Sequence, residues 1–360
     1  MPVISLPAMG DAILPLVVAL ATGLLSCPTT RALIPILRRR EVLDHPNERS
    51  SHIVPVPRGG GIAVVGSVLL AWVALAEAGR VSPSIIMISL AAGLLAVVSW
   101  IDDLRGLSPA MRLPVQGVAV AIGILALPET HNLLQSWLDP AVYFLLAGLL
   151  WIWSVNLFNF MDGIDGLASS EAVAIGGGLL LFAGIGDGGD AETALLAAGI
   201  TGAAAGFLVW NWAPARIILG DVGSTPLGYL LGFLLLALAV RGHWKIALIL
   251  PLYFLADATI TLARRMLRGE RIWQAHREHY YQRAVRSGLG HVAVVKRVIV
   301  ADVLLIGCGL AAETGWGAVS LGASVVIVAI LLATLARGGQ GFRRSRPTPI
   351  SDPLERILRE

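Results

Sequence analysis

The stretch Ser154–Glu171, SVNLFNFMDGIDGLASSE, begins as apolar helix and within a few residues carries two asparagines, two aspartates and two glycines in alternation. Its first part extends upstream into a run over 141–160, long enough to cross a bilayer, which takes about 20 apolar residues. Further runs lie near 11–37, 60–78, 84–101, 113–127, 170–185, 193–213, 225–240, 246–264, 292–311 and 317–336. The chain of 360 residues is 56% hydrophobic and 14% charged, with mean hydropathy +0.76, too few charges to cover a soluble globule of that size. These features predict an all-α polytopic membrane protein of about eleven helices.

The charged residues orient it. If alternate loops share a side, 24 of the 27 Lys and Arg fall on one side and 3, Arg80, Arg241 and Lys245, on the other. The positive-inside rule then places the N-terminus outside and the C-terminus in the cytoplasm. No Lys or Arg precedes Arg31, so the first run reads as a retained helix rather than a cleaved leader. Cys27 and Cys308 sit in apolar runs and read as small buried hydrophobes. The terminal SDPLERILRE reads as a short capped helix with Asp352 as N-cap.

With that orientation the polar clusters converge on the cytoplasmic side. WIDDLRG puts Asp102 and Asp103 at the end of one span, NLFNFMDGIDG ends another, and ILGDVGS places Asp221 between two more. Asp187 and Asp190, in the outward GDGGD, read as solvated turns. Ionisable groups gathered at one membrane level mark a wet functional cavity. Adjacent Asp102 and Asp103 repel unless a cation or basic group joins them, and a cation is expected. Asn156, Asn159 and Asp162 recur every third residue, on one helix face if the helix reaches Asp162, while Gly163 and Gly166 let the chain turn close to a ligand. Oxygen-only side chains suit a hard ion, Mg²⁺ or Mn²⁺; DGIDGLASSE has the wrong length and interior for a calcium loop.

Two stretches suggest anion binding. VPRGGGIA offers Arg58 and three glycines, Gly60 among them, whose amides at a helix start suit phosphate. In RIWQAHREHYYQRAVRSGLGH, His276 and His279 are expected one helical turn apart with Arg277 and Arg283 on two turns of helix. The arginines favour phosphate over zinc, and a basic helix resting on anionic lipid is the competing reading.

Taken in order, DHPNERSSHIVPVPRGGG, DDLRGLSPAMRLPVQ, NLFNFMDGIDGLA, NWAPARIILGDVGSTPLG and HREHYYQR resemble the motif series of the polyprenyl-phosphate N-acetylhexosamine-1-phosphate transferase superfamily over 44–291. The resemblance implies transfer of a sugar 1-phosphate from a UDP-N-acetylhexosamine to undecaprenyl phosphate with release of UMP and a need for Mg²⁺, replaceable by Mn²⁺. It implies Asp221 and Asn156 as metal ligands, Asp102 and Asp103 as catalytic at the lipid phosphate, and Asp165 at uracil. Asn159, Asp162, Asn211, Arg58, Gly60, His276, Arg277, His279 and Arg283 are the remaining expected substrate contacts. The apolar runs and basic loops read from the sequence give one transmembrane catalytic domain, 1–336, with site loops at 38–58, 102–112, 161–170, 214–224 and 264–297, and a basic cytoplasmic tail, 337–360. The setting would be a bacterial inner membrane, with membrane lipids and a second copy of the chain as further partners and no nucleic acid.

Two departures bear on the sugar. The last loop reads HREHYYQR in place of a histidine run, against a pentapeptide substrate; Ser50–Ser51 stand where many GlcNAc-1-phosphate transferases carry a basic residue after the arginine, and PNERSSH with PRGGG resembles O-antigen initiators that take deoxy-sugars such as FucNAc or QuiNAc. Competing classes are another lipid-phosphate enzyme, a CDP-alcohol-type transferase or a phosphatase, and an ion-coupled transporter. The last would use Asp257, which otherwise is expected to pair with a nearby base such as Arg264 or Arg265 or to line the same cavity. No repeated halves or matched broken helices favour transport.

Overall fold

The computed structural model describes residues 9–44, 55–127, 139–184, 190–271, 274 and 276–338. Thus Asp187, the Ser50–Ser51 pair and the expected helix at 351–360 lie outside the described residues. The helices are α1 (Met9–Arg39), α2 (Gly61–Glu77), α3 (Ser84–Arg105), α4 (Pro109–Ile124), α5 (Pro140–Phe160), α6 (Leu167–Gly184) and α7 (Ala191–Asn211). They continue as α8 (Asp221–Val240), α9 (Trp244–Ile249), α10 (Leu252–Leu267), α11 (Tyr280–Arg286), α12 (His291–Ala312) and α13 (Gly317–Arg337). A short antiparallel ribbon pairs β1 (Leu43–Asp44) with β2 (Val56–Pro57).

Seven of these, α1, α3, α5, α6, α7, α8 and α13, are long and apolar enough to cross a membrane; α2 and α4 are apolar but shorter. The run expected over 246–264 is two helices, α9 and α10, because Pro251 removes a backbone donor between them. In α12, Lys296, Arg297 and Asp302 interrupt the apolar run.

Helix α8 is the axis of the bundle: 83% of its apolar window is buried, against 22% for α1 at the rim. Its Tyr229 and Phe233 stack on Trp151 of α5 at 4.9 and 5.9 Å, and the Trp151 indole donates to the Tyr229 carbonyl at 2.9 Å. At the rim, α1 and α7 approach through glycines: a Cβ on Gly202 would lie 1.9 Å from the Ala19 carbonyl oxygen. Small residues let helices meet where lipid gives no hydrophobic drive for association.

At the end of the bundle away from the acid motifs, Asp190 caps α7 through the Thr193 amide and pairs with Arg241. It is therefore a fixed helix cap, not the solvated turn the sequence suggested, because Arg241 at the end of α8 was not foreseen as its neighbour. Deep between α6 and α12, the carboxyl groups of Glu171 and Asp302 face one another, and no other described group hydrogen-bonds to any of their four oxygens.

Candidate active site

Helix α3 ends at Gly106, whose φ of 68° terminates it, and α8 begins after Gly220, φ 77°. These two helix ends meet. The Asp103 carboxylate accepts the amide hydrogens of Asp221 at 3.0 Å and Val222 at 2.9 Å, satisfying donors that open every helix. Arg58 bridges them, with Nε 2.7 Å from Asp103 and Nη2 2.9 Å from Asp221. From α4, Arg112 Nη1 lies 2.8 Å from Asp102 and 3.5 Å from the second oxygen of Asp221. Asp102 also accepts the Leu107 amide.

The neighbouring acids thus turn to different partners, and each has its own arginine where the sequence suggested a shared cation. Asp103 has a side chain with no exposed surface, whereas 20% of the Asp221 side chain is exposed. Asp221 is the acid of this pair that a ligand can reach.

Helix α5 stops at Phe160, two residues short of Asp162, so the expected single face carries only Asn156 and Asn159. A turn brings Asp162 back to the cluster, where it accepts a hydrogen bond from the Gly220 backbone. Burial first, and the Asp221 charge second, push the Asp162 carboxyl up to about 8. Asn159 donates to Ser224 of α8 at 3.1 Å, and Asn156 donates to Gln116 of α4 at 2.7 Å. Gly163 makes a close approach to Tyr281, whose hydroxyl would lie 2.2 Å from an added Cβ.

Among the described residues no three His, Cys, Asp or Glu side chains stand ready as a metal cluster. The charge of the donor set is the relevant test. Among the described residues, Asp102, Asp103, Asp162 and Asp221 are faced by two arginines, Arg58 and Arg112, so carboxyl groups outnumber guanidinium groups, and Asp162, pushed up by burial and the Asp221 charge, would ionise beside an added cation. Oxygen donors with that surplus fit a hard divalent cation.

The glycines of the first motif behave differently from expectation. The amides of Gly59 and Gly60 donate to the Ile218 carbonyl and that of Gly61 to Leu219, so they are consumed by the chain itself. A Cβ on Gly60 would lie 2.3 Å from the Phe207 ring, and one on Gly61 2.2 Å from Gly223 Cα. These glycines seat α2 against α7 and α8.

Asn211 is equally engaged: its Oδ1 accepts from the Gly166 amide and the Ser169 hydroxyl, and its Nδ2 donates to Ile217. It pins the 162–166 turn to the segment before Asp221. Asp165 lies beside it, accepting the Ala215 amide at 3.1 Å and facing His291 Nδ1 at 3.2 Å.

In the largest loop the structure departs from a helix over 276–283: α11 starts only at Tyr280, with His279 as its cap. The two histidines still meet, ring centroids 4.8 Å apart, but His279 is 2% exposed while His276 and Arg277 are half-buried. Burial first, then His279 and Arg265, hold His276 down at about 4, so it is a neutral imidazole near pH 7. Arg283 lies over the Tyr280 ring, 5.7 Å from its centroid.

Sequence reasoning missed Arg112, although the motif containing it was in view: an arginine one turn into a helix after two acids is the signal. Arg112 and Asn156 also line a groove walled by Leu113, Leu149, Trp153 and Phe160. A charged mouth on an apolar channel suits a phosphate carrying a hydrocarbon tail.

A polytopic helical membrane protein with this acid and arginine centre at one end is a membrane enzyme acting on phosphates. The glycosyl transferase family 4 model matches residues 60–239, and the chain belongs to that family. The resemblance to the polyprenyl-phosphate sugar-1-phosphate transferases holds. Similar proteins include the probable undecaprenyl-phosphate N-acetylglucosaminyl 1-phosphate transferase of Bacillus subtilis, 28% identical over 81% of this chain and 82% of that protein. The decaprenyl-phosphate N-acetylglucosaminephosphotransferase of Mycobacterium tuberculosis is 28% identical over 89% of both chains. A phospho-N-acetylmuramoyl-pentapeptide-transferase of Streptococcus thermophilus is 32% identical over 51% of this chain and 60% of that protein.

Proposed function

We propose that the protein transfers an N-acetylhexosamine 1-phosphate from a UDP-sugar to undecaprenyl phosphate. UMP leaves, and the lipid-linked diphosphate sugar starts O-antigen or a related surface glycan. One observation carries this reading: Arg112 contacts Asp102 and Asp221 and also lines the apolar groove, so one guanidinium joins the acid centre to an apolar surface.

In this reading the lipid tail lies in the groove and its phosphate meets Arg112, a fork suited to phosphate oxygens. A phosphate monoester is already largely ionised near neutral pH, with a second pKa of about 6, so Asp102 orients it through Arg112 more than it removes a proton. Asp221 and Asn156, with Asp162 close by, would hold Mg²⁺, which supplies charge neutralisation at the diphosphate. Arg58 keeps Asp221 in place, and Asp103 fixes the helix start that carries it. His276 and Arg277 contact the donor's diphosphate, and Asp165 its uracil. Positioning and charge compensation are the main tasks in phosphoryl transfer.

For topology, the distribution of basic residues supports eleven crossings, the N-terminus outside and the site on the cytoplasmic face of an inner membrane. A cysteine replacing Arg80 should react with an impermeant reagent in intact cells and one replacing Arg271 should not; the reverse pattern overturns the orientation. The sugar is tested by comparing kcat/KM for UDP-GlcNAc, UDP-FucNAc, UDP-QuiNAc and the UDP-MurNAc-pentapeptide. We expect turnover with an N-acetylhexosamine and none with the pentapeptide, and preference for the pentapeptide would refute this choice.

A further inference from the structure

Asp257 has no exposed surface and sits in α10, about two turns before the basic end of that helix. The expected partners, Arg264 and Arg265, are not the groups that reach it. It accepts the Tyr280 amide at 2.9 Å, the Tyr281 amide at 3.3 Å and the Thr261 hydroxyl at 3.3 Å, and His279 Nδ1 lies 3.3 Å from the same carboxylate. Those amides are the first two of α11, which no turn of their own helix can satisfy.

The His279 side chain faces the Asp257 carboxylate through Nδ1 and also accepts the Gln282 backbone amide as the cap of α11. The ring is held between Phe160, Tyr281 and His276, at centroid distances of 6.4, 5.7 and 4.8 Å. His276 receives the Glu278 amide on its Nδ1 at 3.3 Å, which leaves its proton on Nε2. Tyr281 in turn donates to the Phe160 carbonyl at 2.9 Å. One buried acid thereby fixes the place where the large loop returns to the end of α5, beside Asp162.

We propose that Asp257 is a positioning residue for the sugar-nucleotide donor: through His279 and the start of α11 it sets the placement of His276 and Arg277. This rests on the reading of those two residues as diphosphate contacts. Asp257 itself is buried and touches no substrate.

The test uses full-length protein in detergent, with the UDP-sugar that the wild type turns over, undecaprenyl phosphate, and UDP alone as a binding probe by calorimetry. Asp257→Asn should raise the donor KM and the UDP Kd at least tenfold while the lipid acceptor KM stays within twofold. His279→Ala should match it. His279→Asn, whose side chain can still face Asp257 and cap α11, should recover to within threefold of wild type. Adding His276→Gln to Asp257→Asn should cost little more, because both act on one contact. The proposal is overturned if Asp257→Asn has wild-type kinetics, if donor and acceptor KM rise together with a fall in Tm, or if His279→Asn is as poor as His279→Ala. Should Asp257→Asn not fold, the two His279 variants decide alone. Wild-type protein that neither binds UDP nor turns over any UDP-sugar would instead sink the proposed reaction, and this inference with it.

Discussion

The Asp103 carboxylate, without exposed area, closes the first two amides of the helix that Asp221 opens. Adjacent acids in the sequence therefore divide the work, Asp103 holding a helix start and Asp102 holding Arg112.

Exchanging Asp221 and Asp103 should separate those tasks. Asp221→Asn removes a reachable charge but keeps its shape, so kcat should fall at least a hundredfold, about 2.7 kcal/mol, with Tm nearly unchanged. Asp103→Ala strips a helix cap and leaves Arg58 short of a partner, which should cost about 1–3 kcal/mol of stability. Kinetics with thermal unfolding in detergent checks both. Near-normal turnover of Asp221→Asn at ordinary Mg²⁺ would remove Asp221 from the metal role.

The surplus of carboxylates over arginines predicts dependence on a hard cation. EDTA should stop turnover, and Mg²⁺ or Mn²⁺ should restore it. Full activity after exhaustive chelation would contradict the donor set.

His276 should not titrate in the working range. Ordinary histidine would change charge across pH 6–8, but burial and its basic neighbours hold this one at about 4. The kcat/KM ratio of His276→Gln to wild type should accordingly stay constant from pH 6 to 8. A tenfold drift in that ratio, with wild type gaining at low pH, would mean the imidazolium is the working form.

The glycines after Arg58 give a packing prediction. Gly61→Ala would drive a methyl into the backbone of Gly223, and overpacking of this kind costs about 1–3 kcal/mol. Tm should fall while the donor KM of the folded protein stays within twofold. An unchanged Tm with a tenfold higher donor KM would return those amides to phosphate binding.

Much of this was legible in the sequence because membrane helices announce themselves by length and apolarity, and because Asp102, Asp103, Asp162 and Asp221 all punctuate helix ends on one side. What stayed hidden depends on partners far apart in the chain. Arg58 meets Asp221 across 163 positions, and His279 meets Asp257 across 22. Nothing local tells a glycine run that offers its amides to phosphate from one that spends them on Ile218 and Leu219. The buried Glu171 and Asp302 were invisible for the same reason: each is a single acid in its own apolar helix, and only the packing of α6 on α12 makes them a pair.

The identity of the nucleotide product tests the central claim most directly. Purified protein with undecaprenyl phosphate, Mg²⁺ and a UDP-N-acetylhexosamine should yield UMP and lipid diphosphate sugar in equal amounts by mass spectrometry. Release of UDP, which would mean that the sugar moves without its phosphate, would contradict the account, as would inorganic phosphate from the lipid with no UMP.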